Sequence, residues 1–173
     1  MRSRIVKVLS VLMLGLVIVL VSGRQVVAEP RDHDSKLVGT WRVQVALVDC
    51  QTGTALSAPA FSSLLTFAHG GTMAEDTTNP SFGPGQRGAG QGVWDHKPGG
   101  TYAARSVAFI NYTTQANPAA HNPGFEAGEQ TITQTITFED GPDKWSSTAD
   151  IEFSDTTGAV YRQACAVASA QRF

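Results

Sequence analysis

The stretch TITQTITF, residues 131–138, constrains the fold more than any other part of the chain. Side chains alternate between the two faces of a strand, so every second residue shares an environment. Ile132, Ile136 and Phe138 fall on one face, and Thr131, Thr133, Thr135 and Thr137 fall on the other. The next segment repeats the pattern, with Trp145, Ala149, Ile151 and Phe153 set against Ser146, Thr148, Asp150 and Glu152. A helix could not separate these sets. One dry face and one wet face is the habit of antiparallel sheet.

Segments of this kind recur between Gly- and Pro-rich turns, and no stretch shows a helical period. They run Gly39–Asp49, Phe61–Ala68, Thr72–Glu75, Gly92–Lys97, Thr101–Thr113, Gln130–Glu139, Trp145–Ser154 and Ala159–Arg172. In Thr101–Thr113 the face holding Tyr102, Ala104, Ser106, Ala108, Ile110 and Tyr112 is taken as interior, because that choice leaves Arg105 outside. Connection lengths alternate. HGG, KPGG and DGPDK make tight turns, whereas 51–60, 76–91 and 114–129 are long. In a meander, alternate connections lie at opposite ends. The expected fold is therefore all-β: an eight-stranded antiparallel up-and-down barrel with a closed base at the short-hairpin end and long loops at the mouth.

The first residues stand apart from this domain. Arg2, Arg4 and Lys7 precede the uncharged apolar run Val8–Val21, and small residues follow. That layout matches a secretory signal peptide over residues 1–23, with cleavage as late as 28 as the alternative. The run is short for a membrane span, so no stable span is expected after its removal. Residues 24–36 read as a flexible lead-in, and 37–173 form the barrel. Removing 1–23 takes three of the 13 basic residues and none of the 15 acidic ones, leaving ten against 15 and a net charge of −5. This argues against nucleic acid or an anionic membrane as partner. The expected location is secreted or periplasmic.

Both cysteines, Cys50 and Cys165, lie in the exported part, where an even pair points to a disulfide. Their spacing bears on closure. Facing residues of an antiparallel pair have numbers that add to a constant. Trp41 with Arg172 gives 213 and Cys50 with Cys165 gives 215, one diagonal step on the same ladder. A single register between the first and last strands thus brings both pairs together. It also sends Trp41, Val43, Val45 and Leu47 inward and both cysteines outward.

Gly39-Thr40-Trp41 on the first strand, with Arg172 ending the eighth, resembles the calycin superfamily and lipocalins in particular. The resemblance spans about Leu37 to Phe173. It implies that Gly39, Trp41 and Arg172 are structural, with Trp41 plugging the base and Arg172 stacked across its ring. The chain departs from that pattern in two places. The turn before the seventh strand reads EDGPDKW instead of T-D-Y, and no segment remains after the eighth strand for the usual helix. That makes it an outlying lipocalin-like barrel or one closer to the avidin-type minimal meander, although no biotin-site residues match.

A barrel of this size either fills its centre with side chains or holds one small ligand. Ala164, Ala166, Ala168 and Ala170 all face inward and leave room unless large partners fill it. Trp41, Phe138, Trp145 and Arg172 fall at the base, and His69 and His96 lie at base turns. Near the mouth the candidate ligand-binding residues are Phe61, Glu75, Tyr112, Phe153, Arg162, Ala164 and Ala166, with Phe82, His121 and Phe125 in the mouth loops. Arg162 shares the parity of Arg172 and can point inward or sit at the rim.

No nucleophile elbow, zinc-binding helix motif, P-loop or C-x-x-C is present. Asp95 and His96 are strand neighbours on opposite faces and cannot form a dyad. GPGQRGAGQG, residues 83–92, lacks a following helix, so phosphate cradling is not expected. Asn111-Tyr112-Thr113 is a glycosylation sequon placed in a strand. No catalytic residue, metal site or cofactor is assigned. Three functions remain open: an exported binding protein for a small, mostly apolar molecule; a barrel isomerase or cyclase resembling allene oxide cyclase, acting through Tyr112, Glu75 or Arg162; and an interaction module that uses the long mouth loops. Ligand identity and oligomeric state are not encoded in any pattern found.

Overall fold

The computed structural model describes residues 36–112 and 127–173. The leader, the lead-in up to residue 35, and the segment holding His121 and Phe125 lie outside the described residues. The strands are β1 (Gly39–Val48), β2 (Phe61–Phe67), β3 (Thr72–Thr77), β4 (Gly90–Lys97), β5 (Thr101–Ile110), β6 (Gly128–Phe138), β7 (Lys144–Ser154) and β8 (Val160–Arg172). Each pairs antiparallel with the next, and β8 returns to β1, closing the barrel. Among the described residues no helix is long and apolar enough to cross a membrane.

Strand ends differ from the sequence reading by one to three residues, and three of these shifts have a visible cause. β3 extends to Thr77 because Thr77 faces Ser63 of β2. β4 begins at Gly90 because Gly90 faces Glu75. β5 stops at Ile110, where the 78–89 loop takes over its hydrogen bonds: the Gly88 amide donates to Phe109 O, and the Asn111 amide donates to Gln86 O. The sequon Asn111 therefore lies just past the strand, its Nδ2 donating to Gly85 O at 2.9 Å. The fourth mouth connection, 155–159, is also short. Asp155 Oδ1 accepts from the Thr157 amide, the Thr157 hydroxyl and the Ala159 amide, folding a tight turn without a long loop.

Closure follows the anticipated register. Trp41 faces Arg172 and Val48 faces Cys165. Cys50, two residues on, reaches diagonally to Cys165 in a disulfide with Cα atoms 5.2 Å apart. On β5, Tyr102, Ala104, Ser106, Ala108 and Ile110 are all buried, so the chosen face is the interior one.

Six aromatic side chains from six strands plug the base. Trp41 meets Phe138, Phe138 meets Tyr102, Tyr102 meets Trp94, Trp94 meets Phe67, Phe67 meets Trp145, and Trp145 returns to Trp41. The ring is closed, with neighbouring centroids 5.7 to 6.5 Å apart. These tilted and edge-on contacts are the geometry that aromatic quadrupoles favour. Arg172 covers the ring from outside, its Cζ 4.2 Å from the Trp41 centroid. Its donors reach Lys36 O, Val38 O, Pro142 O and the Asp143 carboxylate. Gly39 is required beside it. Its φ is +131°, and a Cβ there would sit 2.8 Å from Arg172 Nη1. Trp41 Nε1 donates to Leu37 O at 2.8 Å, whereas the buried Trp145 Nε1 has no partner among the described residues.

Candidate functional site

The base ring seals one end, and a second apolar cluster forms towards the mouth. It contains Ile110, Ala127, Ile151, Phe153 and Ala166, with Phe82 and Tyr161 packed against it. Between the two clusters the interior becomes polar. Ser63, Glu75, Ser106, Gln130, Gln134 and Ser147 are all buried there. A cavity of about 60 Å³ lies in this layer. By the same measure one water needs about 10–15 Å³, so the space holds several waters or a few ligand atoms. Its apolar walls include Val43, Val45, Ile132, Ile151, Ala149 and Ala168, and its polar walls include Ser63, Gln130, Gln134 and Ser147. Phe61 from the start of β2 and Phe82 from the mouth loop also line it.

A buried ion pair organises the β3 side. Arg87 Nη2 lies 3.1 Å from both carboxylate oxygens of Glu75, and the two side chains are only 3% and 7% exposed. Ser106 Oγ donates to Glu75 Oε2 at 3.1 Å. Arg87 also donates through Nε to Gln130 Oε1 and through Nη1 to Gly88 O. Every nitrogen of the guanidinium is thus engaged, as a buried charge requires. Gly90 makes room for the pair: a Cβ there would come 2.8 Å from Glu75 Oε2.

The same loop is fixed outside the barrel. Gln86 Oε1 accepts from the Gly83 amide, and Tyr112 donates its hydroxyl to Pro84 O. The glycine-rich segment therefore delivers Arg87 inward and lays Phe82 over the cavity, 6.3 Å from the Phe153 ring.

The remaining polar groups of the cavity wall carry unused hydrogen-bonding capacity. Ser147 Oγ donates to Gln134 Oε1 at 3.4 Å, and Ser63 Oγ donates to Thr77 Oγ1 at 2.9 Å. The Gln134 amide nitrogen donates to no group among the described residues, although the side chain is 92% buried, with a relative exposure of 8%. Gln130 likewise uses its oxygen on Arg87, and its amide nitrogen has no partner among the described residues.

The mouth-end candidates divide into three groups. Phe61, Glu75 and Ala166 line the cavity. Phe153 and Ala164 belong to the mouth cluster beside it. Tyr112 is held against the 83–86 loop, and Arg162 is exposed at the rim, its Cζ 5.0 Å from the Phe153 ring. Arg162 therefore does not point into the interior. A register shift between Phe153 and Ser154 lies opposite this stretch of β8. Tyr112, Glu75 and Arg162, the three groups named for an enzyme, do not meet.

Among the described residues two titrating groups near the mouth are perturbed, and neither lines the cavity. Burial pushes the Tyr161 phenol above its usual value, opposed by the neighbouring Arg162. The Thr52 amide, with the Thr52 hydroxyl and the Gln51 amide, lowers the Asp49 carboxyl.

Strand parity already contained most of the polar layer. Gln130 and Gln134 share the inward face of Ile132 and Ile136, and Ser147 shares that of Trp145 and Ala149. Arg87 carried no such signal, because a loop has no period. No protein-family model matches the chain, and no curated protein matches it.

Proposed function

We propose that the protein is an exported, lipocalin-like binding protein that takes one small molecule into the mouth half of its barrel. The observation that carries this reading is the interior cavity with the unpaired Gln134 amide on its wall. That donor lines the cavity and is unused by the protein, so a ligand or water that accepts from it is accommodated there. Export is supported by the leader-like pattern of residues 1–23 and by the Cys50–Cys165 bond, a kind that persists in oxidising compartments. The lipocalin-like assignment is supported by Gly39, Trp41 and Arg172 acting together at the base.

The volume limits the ligand. At about 60 Å³ the cavity encloses only one end of a drug-sized molecule, whose pockets run about 300–1,000 Å³. The remainder would pass between Phe61 and Phe82. The same small volume favours a second reading, in which the barrel is a filled scaffold and the 49–60 and 78–89 loops hold a partner protein.

Intact-mass measurement under non-denaturing conditions separates the two. The protein is equilibrated with a small-molecule extract of its host, beside an Ala168→Leu variant that fills the cavity. One bound molecule on the wild type and none on the variant is expected. An unliganded wild type, or an adduct that survives the substitution, overturns the binding reading.

A further inference from the structure

Resting on the binding reading above, we infer that the cavity selects a neutral head group that accepts a hydrogen bond, of the carboxamide or ketone kind, joined to a short apolar chain. The argument begins with charge. Glu75 is the charged side chain on the cavity wall, and its oxygens already accept from Arg87 and Ser106. Arg87 is its ion-pair partner, and four of the five guanidinium N–H groups go to Glu75, Gln130 and Gly88 O. The two charges neutralise each other, so the pair presents no net charge to an entering ligand. A carboxylate entering the cavity would find no free cation, and an ammonium would find no free anion. Each would lose its hydration without compensation.

The neutral groups offer the complement of a carbonyl or amide. The Gln134 nitrogen is an unused donor on a wall that is otherwise mostly apolar. Ser147 and Ser63 have given their protons to Gln134 and Thr77, so their oxygens remain acceptors. A carboxamide can accept from the first and donate to the second. Beyond this layer, Ile151, Ala149, Ala166 and Phe82 offer only carbon, which suits an alkyl chain directed to the mouth.

Three six-carbon probes at pH 7 test this: hexanamide, hexanoate and hexylamine. The readout is the methyl NMR shifts of Ala149, Ala166 and Ala168, which line the cavity. Hexanamide is expected to shift these methyls saturably, with both charged probes at least about tenfold weaker. Gln134→Met keeps the length and removes the donor, and it should weaken hexanamide about tenfold. Equal or tighter binding of hexanoate or hexylamine at these methyls overturns the neutral class while leaving the binding reading intact. So does a host-derived adduct in a protein whose methyls ignore hexanamide. If no probe moves the methyls and no host molecule binds, the binding reading itself falls. The probe series uses wild-type protein, so it decides the matter even if Gln134→Met does not fold.

Discussion

Replacing Arg87 by Met should be among the most damaging single changes in the protein. The substitution removes the two donations to Glu75, the one to Gln130 and the one to Gly88 O. It leaves a carboxylate that is 7% exposed with Ser106 as its remaining partner. Breaking a buried pair from one side costs about 3–5 kcal/mol, since the surviving charge is stranded. With a urea m-value of about 2 kcal/mol/M, the unfolding midpoint should fall by about 2 M. Removing both charges is expected to be milder: Glu75→Gln combined with Arg87→Met should cost about 2–3 kcal/mol less than the two single changes together. Chemical denaturation of the four proteins in oxidised form measures the cycle. An Arg87→Met midpoint within about 0.3 M of wild type would refute the reasoning, because the pair would then be solvated and the 78–89 loop would not be anchored inside the barrel.

Two further outcomes follow from the seam and the base. Reducing Cys50–Cys165, which spans 115 residues of sequence, should lower stability by about 4–5 kcal/mol in the chain-entropy model, seen as a drop in Tm on adding reductant to native protein. Trp41→Phe should cost more than Trp145→Phe by about 1 kcal/mol in urea denaturation, since Trp41 loses a hydrogen bond to Leu37 O whereas Trp145 loses none; equal costs would contradict the difference in partners.

The barrel was legible in the chain because β-structure writes its faces into parity. Closure was legible too, since Trp41, Cys50, Cys165 and Arg172 satisfy one register only if β1 and β8 are neighbours. The plug is legible in part: parity and loop lengths place Trp41, Phe138, Trp145 and Arg172 at the base, but Phe67, Trp94 and Tyr102 complete the ring. The polar layer was harder. Gln134 and Ser147 sit among apolar residues of the same parity, and attention to hydrophobic residues alone passes over them. Glu75 was picked out as a mouth residue, yet its partner lies in a loop, where no periodicity says which side chain turns inward. How much of the centre is filled depends on rotamers and packing, which residue order does not encode.

The closed aromatic ring at the base has an optical consequence. The chain contains three tryptophans, and Trp41, Trp94 and Trp145 are all members of that ring. Their indoles are coupled through Phe67, Tyr102 and Phe138 and excluded from water, and no tryptophan lines the cavity. Intrinsic emission is therefore a gauge of barrel closure, sensitive to the loss of any one of six strands. It is blind to what enters at the mouth. A ligand screen based on contact quenching of tryptophan would return silence even from a saturated protein, and occupancy is read instead from groups on the cavity wall or from a label at the Phe61–Phe82 end.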